Sequence, residues 1–229
     1  MKITWLGQAG LLIETEGLKI IVDPYLSDSV VKVNPKNYRR VPVDERFLDI
    51  KPDVLICTHN HLDHVDPETI PHYLCRGGSV VVLAPEAAWN EIRRIVGSGS
   101  DHNFIKFNRG TQWTEGGVRF YSVRAEHSDP HPIGVVIEAE GKRLYITGDT
   151  LYNTEIFDDV LPLAPIDALF IPVNGVGNNL NMADACRFCE VVAPRVAVPL
   201  HWGLFDSLNG ADWVYPNKVV PEFYKEIKI

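Results

Sequence analysis

The apolar run Asp53 to Cys57 passes without a break into Thr58-His59-Asn60-His61-Leu62-Asp63-His64, so three imidazoles and a carboxylate fall within six positions. Such a run delivers the chain to a sheet edge, and a tight loop there can turn several side chains toward one point. Histidine and aspartate are the ligand types preferred by zinc and other borderline first-row cations. The whole chain holds eight histidines in 229 residues, too few for this crowding to arise by chance. Four potential ligands on one short loop, with others elsewhere, exceed one tetrahedral site. The spacing therefore points to two divalent ions, with zinc the default of this coordination chemistry and manganese or iron the alternatives.

Other ligand candidates sit where further β-runs stop. His127 follows the run Val118 to Ala125, Asp149 follows Arg143 to Thr147, and His201 follows Val196 to Pro199. Loops at strand ends are where a rigid scaffold usually displays its chemistry. Further β-runs are Lys2 to Leu6, Gly10 to Glu14, Lys19 to Val22, Val80 to Leu83, Gly134 to Ala139 and Ala168 to Ile171. Helical patterns span Glu86 to Val96 and Met182 to Val192. Strands in runs with interspersed helices predict two packed sheets with helices outside. A short echo, Ile13-Glu14-Thr15-Glu16-Gly17 against Ile137-Glu138-Ala139-Glu140-Gly141, suggests two similar halves ending at Asp23 and Asp149.

With 45% hydrophobic and 23% charged residues, 1–229 reads as one globular domain. The net charge of −8 argues against broad binding of nucleic acid or an anionic membrane. Four cysteines are far too few for a disulfide scaffold, and Cys186-x-x-Cys189 lies in a helical pattern that favours buried helix-face thiols. The N-terminus reads as a strand and no apolar run reaches membrane-spanning length, so the expected compartment is the cytoplasm.

His59-x-His61-x-Asp63-His64, with His127, Gly148-Asp149-Thr150 and His201, resembles the metallo-β-lactamase superfamily over nearly the whole chain. Trp5-Leu6-Gly7, Asp23-Pro24, Val65-Asp66-Pro67, Ile133-Gly134 and Asn181-Met182 look closest to its L-ascorbate-6-phosphate lactonase-like branch. Phosphodiesterase-like relatives share a late His-Trp-Gly similar to His201-Trp202-Gly203. The resemblance implies an α/β fold, a four-layer αβ/βα sandwich of two mixed sheets with metals at one edge. It places His59, His61 and His127 on one cation, Asp63, His64 and His201 on a second, and Asp149 between them. Asp23 would stand behind the ligands and fix a histidine tautomer. Gln8 departs from the pattern, since many relatives carry histidine there. Electron-transferring di-iron relatives have glutamate at the position of His61, so redox chemistry is not expected.

The function expected on this basis is metal-dependent hydrolysis of a small anionic lactone or ester by a hydroxide activated between two metals, with Asp63 and His201 as catalytic candidates. The alternative is a phosphodiesterase acting on a phospholipid head group or nucleic acid. The polar stretch Ser27 to Asp44 is long enough to be a lid. Its Arg39 and Arg40 could hold a substrate anion or make only surface contacts, and Asn178 in the amide-rich segment Asn174 to Asn179 could form a pocket wall. Trp202 could line the pocket or serve as packing. A homo-oligomer is compatible with all of this.

Overall fold

The computed structural model describes residues 1–97 and 101–229. The first sheet begins with the antiparallel strands β1 (Lys2–Gly7), β2 (Gly10–Thr15) and β3 (Leu18–Val22). It continues in parallel through β4 (Val54–Ile56), β5 (Val81–Ala84) and β6 (Asn103–Lys106). The second sheet comprises β7 (Gln112–Glu115), β8 (Val118–Arg124), β9 (Ile133–Ala139), β10 (Lys142–Ile146), β11 (Ala168–Pro172) and β12 (Val196–Leu200). Pairing is antiparallel from β7 to β10 and parallel from β10 to β12. The C-terminal β13 (Glu226–Ile227) returns to pair with β1, which gives the seven-stranded order β13-β1-β2-β3-β4-β5-β6 beside the six-stranded β12-β11-β10-β9-β8-β7.

The central strands are almost continuously apolar because both faces of each sheet are buried there. Leu11, Ile13, Ile20, Val22, Val54 and Ile56 meet Val135, Ile137, Ile146 and Phe170 between the sheets. Their alternate neighbours Leu12, Ile21 and Leu55 face outward and pack with Ala88 and Ile92 of helix α2 (Glu86–Val96) and with Tyr73 of α1 (Ile70–Leu74). On the other side, Val136, Leu169 and Ile171 pack with Phe157 of α3 (Ile156–Val160) and Phe188 of α4 (Met182–Val192). These are the four layers expected from the sequence, and the helix expected over Glu86 to Val96 occupies those residues.

The sequence echo corresponds to two matching hairpins. Glu16 and Gly17 join β2 to β3 with φ of 49° and 77°, and Glu140 and Gly141 join β9 to β10 with φ of 52° and 70°. Both central residues lie in the left-handed region, as a type I′ turn requires. Each hairpin is followed by parallel strands, three after β3 and two after β10, so Asp23 and Asp149 leave equivalent strand ends in the two sheets. On α4, Cys189 is buried and Cys186 half-buried, and all four cysteines are free thiols. No described helix is long and apolar enough to cross a membrane.

Candidate metal centre

The chain leaves β3 at Asp23, β4 at Thr58 to His64, β8 at His127, β10 at Asp149 and β12 at His201, and these exits meet along one edge of the sandwich. Three overlapping groups result: His59, His61 and His127; His59, His64 and Asp149; and Asp63, His64 and His201, each with its ligand atoms within 4.8 Å of one another. The rings of His59, His61 and His127 stand 4.5 to 4.7 Å apart. Asp149 links the groups. Its Oδ2 is 3.1 Å from His201 Nε2 and 3.8 Å from His127 Nε2, and its Oδ1 is 3.5 Å from His64 Nε2. Asp63 Oδ2 lies 3.4 Å from His201 Nε2. The structure thus gathers all seven side chains that the sequence singled out as ligands.

Backbone geometry makes this convergence possible. Gly148, just before Asp149, has φ of +61°, and a Cβ there would lie 2.8 Å from the Ile133 carbonyl and 2.9 Å from Thr58 Cβ. Only glycine lets the loop after β10 approach the histidine loop so closely. Gln8, Asp23, Asn178 and His201 also adopt positive φ, between 43° and 64°. Such concentration of left-handed non-glycine backbone is characteristic of functional sites.

The ring nitrogens facing away from the cluster set the tautomers. Thr58 Oγ1 donates to Asp23 Oδ2 at 2.7 Å and lies 3.1 Å from His59 Nδ1. Its proton being committed to the carboxylate, it accepts from His59 Nδ1–H. His127 Nδ1 lies 3.0 Å from the Asn178 carbonyl, a pure acceptor, so that nitrogen also carries the proton. In both rings Nε2 keeps its lone pair for the centre, as a metal ligand must. Asp23 is fully buried; it accepts the Thr58 N–H at 2.7 Å and stands 3.0 Å from His64 Nδ1. Sequence reasoning placed Asp23 behind the ligands but missed Thr58 as the relay to His59.

Three carboxamides orient the remaining ligands. Gln8 Nε2 donates to Asp63 Oδ2 at 2.8 Å and lies 3.1 Å from His201 Nε2. Asn174 Nδ2 is 3.0 Å from His201 Nδ1, and Asn179 Nδ2 donates to Asp149 Oδ2 at 2.8 Å. The segment Asn174 to Asn179, read from sequence as a pocket wall, therefore also holds His127, Asp149 and His201 in place. The departure at Gln8 from the resembled pattern was the only sequence signal for that residue, and Asn174 and Asn179 had none beyond their amide-rich setting.

Burial, with help from neighbouring His64, keeps His59 well below its ordinary pKa, and burial lowers His127. Burial opposes protonation of His64 and His201 too, but Asp149 and its neighbouring carboxylates outweigh it. They hold His64 well above its ordinary value and push His201 up to about 10. Burial would raise Asp63 and Asp149, yet these histidines hold both below the usual carboxylate range. The metal-free pocket thus retains protons at neutral pH where it would hold cations. A cation displaces them, so affinity falls as pH falls. Titration calorimetry near pH 7 in buffers of different ionisation enthalpy is expected to show release of about two protons on full loading.

A cleft of about 560 Å³ opens onto the cluster at His61, Asp63, Asp149 and His201, and Asn178 forms part of its wall. Arg39 and Arg40 do not line it, which corrects the reading of them as an anion anchor. The Arg39 guanidinium donates to the Tyr25 and Val41 carbonyls and to the Tyr224 hydroxyl at 2.7 to 3.2 Å, fastening the Ser27 to Asp44 stretch to the body. Arg40 lies over the Tyr38 ring. That stretch does reach the cleft, through Val30 and Asn37. Trp202 is packing: its ring is 4.9 Å from buried Trp5, and its Nε1 donates to the Pro199 carbonyl.

Buried histidines and aspartates at the strand ends of a four-layer sandwich, opening on a cleft, are the architecture of a metal-dependent hydrolase. Residues 2–201 match the profile of the beta-lactamase superfamily domain, and the chain belongs to that family. It is 32% identical over 217 residues to a protein named UPF0173 metal-dependent hydrolase from Carboxydothermus hydrogenoformans, covering 88% of this chain and 84% of the relative. A metal-dependent hydrolase of Staphylococcus aureus (strain bovine RF122 / ET3-1) is 28% identical, with 91% of this chain and 89% of that one covered. Among solved structures, an isothiocyanate hydrolase from Delia radicum gut bacteria superposes with a TM-score of 0.78 at 17% identity, covering 100% of this chain and 99% of that one.

Proposed function

We propose that the chain hydrolyses a small ester or lactone with two divalent cations, one held by His59, His61 and His127, the other by Asp63, His64 and His201, with Asp149 shared. The observation that carries this reading is the place of Asp149, within 4 Å of ring nitrogens from both sets. The donor set also fits cations in a second respect: His59 Nε2 and His64 Nε2 are buried with no hydrogen-bond partner. A buried polar atom without a partner is costly unless a ligand satisfies it. When bound, such cations supply Lewis acidity and lower the pKa of water toward neutrality.

The chain's own groups supply the rest. Asp63 is the ligand aspartate more open to the cleft, with its side chain 17% exposed against 5% for Asp149. Held anionic, its carboxylate can accept the proton of the attacking water. Gln8, donating to Asp63 Oδ2, keeps that carboxylate turned toward the cleft. His201, 3.0 Å from Asn174 Nδ2 and 3.4 Å from Asp63 Oδ2, contributes as a ligand. Among the described residues the cleft walls hold no lysine or arginine, which disfavours both the phosphodiesterase alternative and the anionic substrate expected from the sequence.

Plasma emission analysis after reloading with zinc or manganese is expected to find about two equivalents per chain. His61→Ala should lose metal and hydrolysis of an ester and lactone panel together. Less than about one equivalent in the reloaded wild type would contradict the two-cation scheme. Thr58→Val tests the tautomer relay. It removes the acceptor for His59 Nδ1–H while keeping side-chain volume, and should weaken metal affinity by about 10- to 100-fold in a chelator competition titration.

A further inference from the structure

Apart from the histidines of the cluster, the cleft has no basic side chain in its described walls. Those walls contain Asp63, Asp149 and Asp206. Two divalent cations at the cluster would outweigh the first two, so of the three carboxylates it is Asp206 that bears on a part of the substrate remote from the cluster. Asp206 stands apart from the cluster, and its Oδ1 is pinned by the Gly203 N–H at 3.0 Å and the Leu208 N–H at 2.8 Å. No basic side chain in the described walls balances it. The arginines of the neighbouring stretch are committed elsewhere, Arg39 to carbonyls and a hydroxyl and Arg40 to the Tyr38 ring.

The remaining wall is neutral. Asn37 enters hydrogen bonds through its backbone N–H and Asn178 through its carbonyl, so both side-chain amides are without a partner among the described residues. Each amide offers donors and an acceptor, which suits a hydroxyl or carbonyl. Val30, Val176 and Phe205 add apolar surface, and Val176 is 62% exposed at the rim.

We propose that this cleft selects substrates whose portion remote from the scissile bond is uncharged, a hydrocarbon chain bearing at most hydroxyl or carbonyl groups, and rejects those with a carboxylate or phosphate tail. The physical reason is twofold. An anionic tail would lose hydration without gaining a cationic partner, and it would be repelled by Asp206. The proposal rests on the reading above in placing the bound metal and the scissile group at the histidine and aspartate cluster, and not on the ester chemistry.

The test is titration calorimetry on the metal-loaded full chain with two probes, hexanohydroxamic acid and the monohydroxamate of adipic acid. The head group and chain length are shared, and a carboxylate replaces the terminal methyl. The neutral probe is expected to bind at least about 30-fold more tightly. Asp206→Asn keeps the Oδ1 acceptor and removes the charge, and Asn37→Arg adds a cation to the wall. Each should narrow the ratio to about fivefold or less. Melting curves establish that both variants fold, and Asn37→Arg carries this arm if Asp206→Asn does not. Equal or tighter binding of the adipate probe overturns the proposal. So does failure of both probes to bind, or a ratio unmoved in a folded variant. If the binding ratio holds while no ester or lactone is hydrolysed, the ester reading falls and the charge selection stands.

Discussion

Asp149→Ala is expected to lower kcat/KM by about 10³-fold or more, and to bring bound metal from about two equivalents to less than one. Asp149 is the carboxylate that joins the two sets of histidines. Asp149 approaches His127 on one side and His64 and His201 on the other, and Asn179 Nδ2 holds its Oδ2 in position. Its loss removes negative charge from a buried pocket whose remaining donors are five imidazoles and Asp63. One carboxylate cannot offset two divalent charges there. Metal content and kcat/KM measured on one sample separate this from a folding defect, because a folded variant keeps the cooperative melt of the sandwich. A variant that keeps two equivalents and wild-type kcat/KM would remove Asp149 from the centre.

Removal of the metal is expected to lower Tm by on the order of 20 °C. A ligand present at about a thousand times its Kd stabilises the folded state by about 4 kcal/mol, and two such ions contribute about 8 kcal/mol. For a chain of this size each kcal/mol moves Tm by about 2 to 4 °C. The structural reason is visible in the cluster. Asp23, Asp63 and Asp149 crowd around five rings, and His59 Nε2 and His64 Nε2 have no other partner. Calorimetric scans with and without a chelator, followed by readdition of zinc, check both the size and the reversibility of the effect. A shift of only a degree or two would show that packing between the sheets, not the metal, holds this edge together.

The ligand cluster was legible in the sequence because strand ends are legible. Val54 to Ile56 and Val196 to Leu200 are wholly apolar, Val118 to Arg124 and Lys142 to Ile146 bury most of their residues, and a histidine or aspartate stands within a few residues of each strand's end. The elements that escaped lack such contrast. β6 and β7 lie at sheet edges, and their residues are only half-buried or exposed. β13 is two residues long and exists through its pairing with β1. α1 carries Pro71 in a five-residue helix and has no periodicity to read.

Residue type and order determined that histidines and aspartates of metal-ligand type gather where the strands end, because their loops follow directly on strands whose burial fixes their position. Side-chain direction was a different matter. Arg39 and Asn178 both looked available for substrate, yet the fold turned Arg39 onto carbonyls and left the Asn178 amide facing the cleft. Thr58, Gln8, Asn174 and Asn179 gained their roles only through contacts with residues far away in the chain. Hydrogen bonds at about 3 Å depend on where two loops meet, and hydrophobic patterning along one strand carries no information about that distance.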